Sequence, residues 1–147
     1  MIQLVTENTI YQAAVIHSAA WQQSHRGFCT PEFVAIHTPE RQMEYLQSVV
    51  NQGARLYMLS ADGTPVGIVT VLDHLIENLY VLPEEQNKGY GTRLLRFAVE
   101  QCEGKAELWV LNNNLGARRL YERNGFAETG EVHHLSDTLS EIKMRLC

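Results

Sequence analysis

No apolar run in this sequence approaches the roughly 18 consecutive residues of a membrane-spanning helix. The opening Met1-Ile-Gln-Leu-Val-Thr-Glu7 also lacks the basic region and apolar stretch of a secretion signal. A soluble protein that is not exported is expected. Cysteine is scarce: Cys29, Cys102 and Cys147 form neither a metal-binding spacing nor an even set for disulfides, which favours free thiols in a reducing cytoplasm. His17, His25, His37, His74, His133 and His134 show no zinc spacing such as His-Glu-x-x-His, so no metal is expected. Ser/Gly/Pro-rich linkers, internal repeats and low-complexity tracts are absent. With 147 residues and 45% hydrophobic content, the chain suits one domain over residues 1–147 with a substantial core.

Basic excess is missing too, since the net charge is −5. No patch for nucleic acid is visible. The charge is uneven: residues 1–85 carry three basic and nine acidic side chains, residues 86–125 seven and four, and residues 126–147 two and four. The middle segment is therefore locally basic and suits an anionic ligand, while the acidic first part either attracts a cation or is simply a solvated surface.

Periodicity and punctuation give the element order. Ile2 to Val5 reads as a short strand, and Thr6 as the cap of a helix over about Glu7–Ser24 with the stripe Ile10, Ala13, Ala14, Ile16, Ala20. Thr38-Pro39-Glu40 opens a second helix to about Asn51, with a flexible connection between the two. Arg55–Ser60 and Val66–Leu72 read as strands turned at Asp62-Gly63, followed by a strand from Leu75 to Val81. A helix over Tyr90–Cys102, a strand over Ala106–Leu111, a helix capped by Asn114 and ending at Asn124-Gly125, and a final strand pair, Phe126–Leu135 and Leu139–Leu146, complete the chain.

The most informative segment is Leu79-Tyr-Val-Leu-Pro-Glu-Glu-Gln-Asn-Lys-Gly-Tyr-Gly-Thr92, which joins a strand to a helix through Gly89 and Gly91. Glycines let successive N–H groups curl inward, and the helix N-terminus adds partial positive charge, so an anion is expected there. A dinucleotide fingerprint would need a small residue where Leu94 stands and an acid after the next strand. A Walker loop would need Gly-Lys-Ser/Thr, whereas Lys88 precedes Gly89. Both fail.

Gln86-x-x-Gly89-x-Gly91 resembles instead the acetyl-CoA pyrophosphate loop of the GNAT superfamily of N-acetyltransferases. Farther on, Asn114-Leu-Gly-Ala117-Arg-Arg-Leu120-Tyr121-Glu-Arg-Asn-Gly125-Phe126 is similar to the family's Asn-x-x-Ala-x-x-Leu/Phe-Tyr-x-x-x-Gly-Phe segment, at the expected distance. The resemblance is specific over about 75–126. It implies an α+β fold: a central mixed, mostly antiparallel sheet of six to seven strands flanked by about four helices. It also implies a cytoplasmic acetyltransferase acting on a primary amine of a small molecule by direct attack, with acetyl-CoA as cosubstrate. Alternatives are a protein or peptide N-acetyltransferase and a non-catalytic acyl-CoA-binding module; a homodimer is compatible.

By this resemblance the main chain of Leu79, Tyr80 and Val81 holds the pantetheine arm and polarises the acetyl carbonyl. Gln86, Asn87, Lys88, Gly89, Tyr90, Gly91 and Thr92 hold the diphosphate, with Lys88 the favoured cation, and Asn114 is a further cofactor partner. Tyr121, two turns after Asn114 on one helix face, becomes the acid that protonates the thiolate; a phenol with a pKa of about 10 carries its proton at neutral pH. A capping Asn and a packing Tyr would leave the same letters. Glu77 precedes Leu79 and Val81 with period two, so it should share their face and could serve as the base, or be a surface residue. Trp21, His25 and Phe28 are candidate acceptor contacts, or part of the core.

Overall fold

A computed structural model describes all 147 residues. One seven-stranded sheet runs through the chain in the order β1-β2-β3-β4-β5-β7-β6. The strands are β1 (Ile2–Leu4), β2 (Arg55–Ala61), β3 (Thr64–Leu72), β4 (Leu75–Val81), β5 (Glu107–Leu111), β6 (Phe126–His134) and β7 (Ser140–Leu146). Every neighbouring pair is antiparallel except β4 and β5. The helices are α1 (Ile10–His25), α2 (Pro31–Ala35), α3 (Pro39–Asn51), α4 (Tyr90–Gln101) and α5 (Leu115–Arg123), with a 3-10 turn at Pro83–Glu85. No helix is long and apolar enough to cross a membrane.

Alternation along the strands splits the core in two. Leu56, Met58 and Ile68 face one side of the sheet and pack on Ile10, Ala13, Ala14 and Ile16 of α1 and Leu46 of α3. Tyr57, Leu59, Val69 and Val71 face the other, where Leu94, Leu95 and Ala98 of α4 and Tyr121 of α5 cover them. At Gly67 an added Cβ would stand 2.6 Å from Leu94 Cδ1 and 3.1 Å from Tyr80 O. Only the missing side chain lets α4 seat this closely on the sheet. Asp62 and Gly63, both at positive φ (52° and 79°), make the tight β2–β3 turn.

Beyond shifts of one or two residues at several element ends, two features differ from the sequence reading. Helix α1 begins at Ile10, because Thr6 is drawn into a turn in which its N–H donates to Thr9 Oγ1 at 2.9 Å and its carbonyl accepts from Ile10 N–H. The connection expected to be irregular contains α2, where Thr30 Oγ1 accepts from Phe33 N–H at 3.2 Å. Thr38 does the same for Arg41 at the start of α3.

The break that matters lies at β4. This strand pairs with β5 only through Leu75–Glu107 and Ile76–Leu108. Beyond them the two strands part.

Candidate active site

The parting strands open a cavity of about 1170 Å³ that runs from the C-terminal half of α1, through the β4–β5 gap, to α5. Its floor is shaped by a bulge. Ile68 pairs with Tyr80 and Thr70 with Glu77, so Asn78 and Leu79 together face the single residue Val69. Asn78 adopts φ 54°, a left-handed conformation that asparagine tolerates better than most residues.

The bulge changes which residues share a face. Glu77 lies on the Thr70 and Ile68 side with Tyr80, whereas Leu79 and Val81 pack with the α4 and α5 core. The period-two expectation that Glu77 shares a face with Leu79 and Val81 is therefore corrected: the extra residue inverts the alternation between them. Glu77 still lines the cavity, with Glu141 of β7. Desolvation there, and then the like charge of Glu141, raise its carboxyl above the ordinary carboxylate value.

Main-chain polarity follows from one bond. Leu82 N–H donates to Val66 O at 2.8 Å. By the alternation of antiparallel pairing, Tyr80 then bonds to Ile68, while the main-chain groups of Leu79 and Val81 turn to the open edge facing the gap. There Val81 O accepts from Gln86 Nε2 at 3.0 Å, and the same nitrogen donates to Gln23 Oε1 at 2.8 Å. Gln86 thus ties the loop to the end of β4 and to α1.

At the start of α4, Asn87 (φ 65°) and Gly89 (φ 88°) are both left-handed, and nothing stands within 4 Å of the Cβ position of Gly89. The amides of Asn87, Lys88, Gly89, Tyr90, Gly91 and Thr92 donate to no acceptor in the chain. A run of free N–H groups at a helix N-terminus is an anion cradle. Asn87, Gly89, Tyr90, Gly91 and Thr92 line the cavity. Lys88 does not: its ammonium lies 2.8 Å from Glu85 Oε2, the carboxylate one turn earlier, and its side chain stands in solvent. The loop's expected cation thus stands at the rim, paired with Glu85, while its backbone amide belongs to the cradle.

On the opposite wall Asn114 Oδ1 caps α5 by accepting from Ala117 N–H at 3.2 Å, leaving Nδ2 free in the cavity. Tyr121, also on that wall, is 8% exposed, and its hydroxyl has no partner within the chain. Burial pushes its pKa up to about 12.

Trp21 and His25 line the α1 end of the cavity. Trp21 is stacked by His25 at 3.8 Å and by His37 at 3.6 Å, so its ring faces are occupied and only its edge is open to a ligand. Phe28, expected among the acceptor contacts, lies outside the cavity wall, exposed and tilted against His25. Sequence reasoning missed Asn78 and Glu141. An asparagine following Glu77 in the middle of a strand whose other residues are apolar or aromatic was the available signal for the first. Nothing in the letters placed Glu141 opposite Glu77. No cluster of three or more metal-ligating side chains occurs.

Comparison with known proteins agrees with this architecture. The sequence profile of the Acetyltransferase (GNAT) family matches residues 21–126, and the chain belongs to that family. It is 29% identical over 132 residues to a probable N-acetyltransferase of Mycobacterium tuberculosis, covering 82% of this chain and 76% of that protein. Its fold superposes on the PaiA N-acetyltransferase of Thermoplasma acidophilum, solved in complex with coenzyme A, with a TM-score of 0.74 at 19% identity, covering 99% and 97% of the two chains. It likewise superposes on YncA of Salmonella typhimurium, solved with its cofactor acetyl-CoA, with a TM-score of 0.70 at 17% identity over 99% and 92% of the chains.

Proposed function

We propose that this protein transfers the acetyl group of acetyl-CoA to a primary amine of a small molecule by direct attack within a ternary complex. The observation that carries the reading is the run of free amides from Asn87 to Thr92 at the mouth of the β4–β5 gap. These N–H groups suit the diphosphate, and the gap suits an extended pantetheine arm alongside the main chain of Leu79 and Val81. Asn114 Nδ2 provides another donor along the arm. Acetyl-CoA supplies the thioester, whose C–S bond breaks as the C–N bond forms.

The chain's own groups handle protons and charge. The open-edge N–H groups of Leu79 and Val81 donate to the acyl oxygen as negative charge develops. Tyr121 donates its hydroxyl proton to the leaving sulfur; burial keeps it protonated beforehand and raises the basicity of a thiolate in the same dry space. Glu77, on the α1 face of the gap and with a raised pKa, takes the proton of the incoming ammonium directly or through water. With Glu141 it gives that end a negative potential that draws in a cationic amine.

Calorimetric titration with coenzyme A and acetyl-CoA, followed by thiol release with polyamines, aminoglycosides, amino acids and peptides, tests the reading. Binding together with release by a small amine supports it. Release by peptides alone makes the acceptor a protein, and binding without release by any amine makes the protein an acyl-CoA-binding module. Absence of heat at several temperatures rejects the whole proposal.

A further inference from the structure

Behind the bulge lies a hydrogen-bonded chain that none of the steps above uses. It runs from α3 to α1 to β4 to β3. Gln42 Nε2 lies 2.8 Å from His17 Nδ1, His17 Nε2 3.3 Å from Asn78 Oδ1, Asn78 Nδ2 3.0 Å from Thr70 Oγ1, and Thr70 Oγ1 2.8 Å from the carbonyl oxygen of Glu77. A carbonyl can only accept, and this end sets the direction of every bond. Thr70 donates to Glu77 O and therefore accepts from Asn78 Nδ2. Asn78 Oδ1 is then an acceptor, so His17 carries its proton on Nε2 and leaves Nδ1 bare for Gln42. Tyr45 Oη donates a second bond to Asn78 Oδ1 at 3.3 Å.

His17, Gln42 and Thr70 are 3%, 4% and 2% exposed. His17 is further confined by Tyr80, whose ring meets it edge-on at 4.7 Å. Breaking a link would leave buried polar groups without partners, so the chain resists rearrangement. What it holds is the left-handed Asn78, the residue at which β4 changes phase. From there on, the main-chain groups of Leu79 and Val81 point to the open edge.

We propose that His17 is a positioning residue for acetyl transfer: through Asn78 it locks the β4 bulge that aims the main-chain groups of Leu79 and Val81 at the acyl group. This rests on the acetyl-CoA reading given above. His17 touches neither the loop amides nor Tyr121, so the inference separates binding from turnover: the diphosphate cradle stays intact while the oxyanion donors drift.

The test compares wild type with His17→Phe, which keeps a ring but removes both bonds, and His17→Gln, which restores one donor and one acceptor. Thr70→Val cuts the chain at its far end and serves also where His17→Phe does not fold. Amide hydrogen exchange in the free proteins, coenzyme A titration and acetyl-CoA turnover are measured on each. We expect exchange at Tyr80 and Leu82, whose amides bond to β3 just past the bulge, to quicken in His17→Phe and Thr70→Val relative to the rest of the sheet, and to return towards wild type in His17→Gln. Coenzyme A affinity should stay within about twofold, while kcat falls roughly 10- to 100-fold, as misplacing a catalytic group by about an ångström does. Unchanged exchange at Tyr80 and Leu82, or turnover that falls only in step with global stability, overturns the proposal. If wild type itself turns over no acetyl-CoA, the activity reading has failed, and with it the positioning role of His17 in transfer; exchange then reports on the bulge lock alone.

Discussion

Tyr121 is the side chain whose surroundings say most about a task. A buried phenol usually satisfies its hydroxyl, yet this one is 8% exposed, faces a cavity and bonds to nothing in the chain. A purely packing tyrosine would gain from phenylalanine there. We expect Tyr121→Phe to keep the folded protein and coenzyme A affinity within about twofold while kcat drops roughly 100-fold or more, the range of a lost general acid. Equal losses of binding and turnover, measured by titration and thiol release, would make it a binding residue. Glu77 has a different signature. Its carboxyl must be ionised to accept a proton, and its pKa is raised, so kcat/KM should fall as pH drops through a value above the ordinary carboxylate range. Glu77→Gln should remove that acidic limb; a limb that persists assigns it to another group. Both residues stand out in the sequence, Tyr121 from its motif and Glu77 from its place before the loop, and both line the cavity. The face Glu77 occupies is not legible there, because a period-two count carries no information about one extra residue in the strand.

Helix α4 is the element on which the cofactor end depends. Its buried stripe of Leu94, Leu95 and Ala98 was readable from helical spacing, as was its start beside two glycines. How near it sits to the sheet was not readable, because this is set by Gly67, which belongs to a strand and looks in the sequence like a weak strand residue. A methyl group at 67 would press on Leu94 Cδ1 at 2.6 Å and on the backbone oxygen of Tyr80 at 3.1 Å. The leucine end can move, but the backbone cannot without shifting β4. Gly67→Ala is expected to lower stability by about 1–3 kcal/mol, the usual range for overpacking, and to weaken coenzyme A binding because the free amides move with the helix. Urea unfolding and calorimetry on the same variant check both halves, and a stability loss with unchanged affinity would mean that α4 adjusts without carrying its N-terminus along. Helix α2 teaches the converse. Thr30-Pro31-Glu32 repeats the cap, proline and acid of Thr38-Pro39-Glu40, and both threonines cap their helices at 3.2 Å. The start signal was present in the letters, but only five residues follow it, too few for a helical period to register.

Across the whole molecule, buried titratable groups on the α1 face of the sheet set the response to acid. On the open side of β5, Arg145 Nε donates to the buried Glu107 at 2.6 Å, and His74 and Lys143 share the same carboxylate, holding its pKa below the usual range. Farther along the same face, on α1, desolvation lowers His17 from 6.5 to about 4, outweighing its bond to Asn78. Burial lowers His25 as well. A histidine depressed in the folded state binds its proton more weakly there than in the unfolded chain, so unfolding is favoured wherever the unfolded histidine is charged and the folded one is not. Full stability is therefore present above about pH 6.5, falls as pH drops towards about 4, and loses no more to His17 below that. The shift corresponds to about 3 kcal/mol for His17. Glu107 acts lower on the scale: its depressed pKa gives stability that is present above the unfolded carboxylate value and is lost as pH falls through the folded one. The two contributions separate in pH. Urea unfolding of wild type and His17→Gln at pH 7, 5.5 and 4 should therefore show a steep decline in wild type and a shallower one in the variant, with His25 supplying part of the remaining slope. Parallel declines in the two proteins would show that His17 does not govern this window, and that its proton is held as readily in the fold as in the unfolded chain.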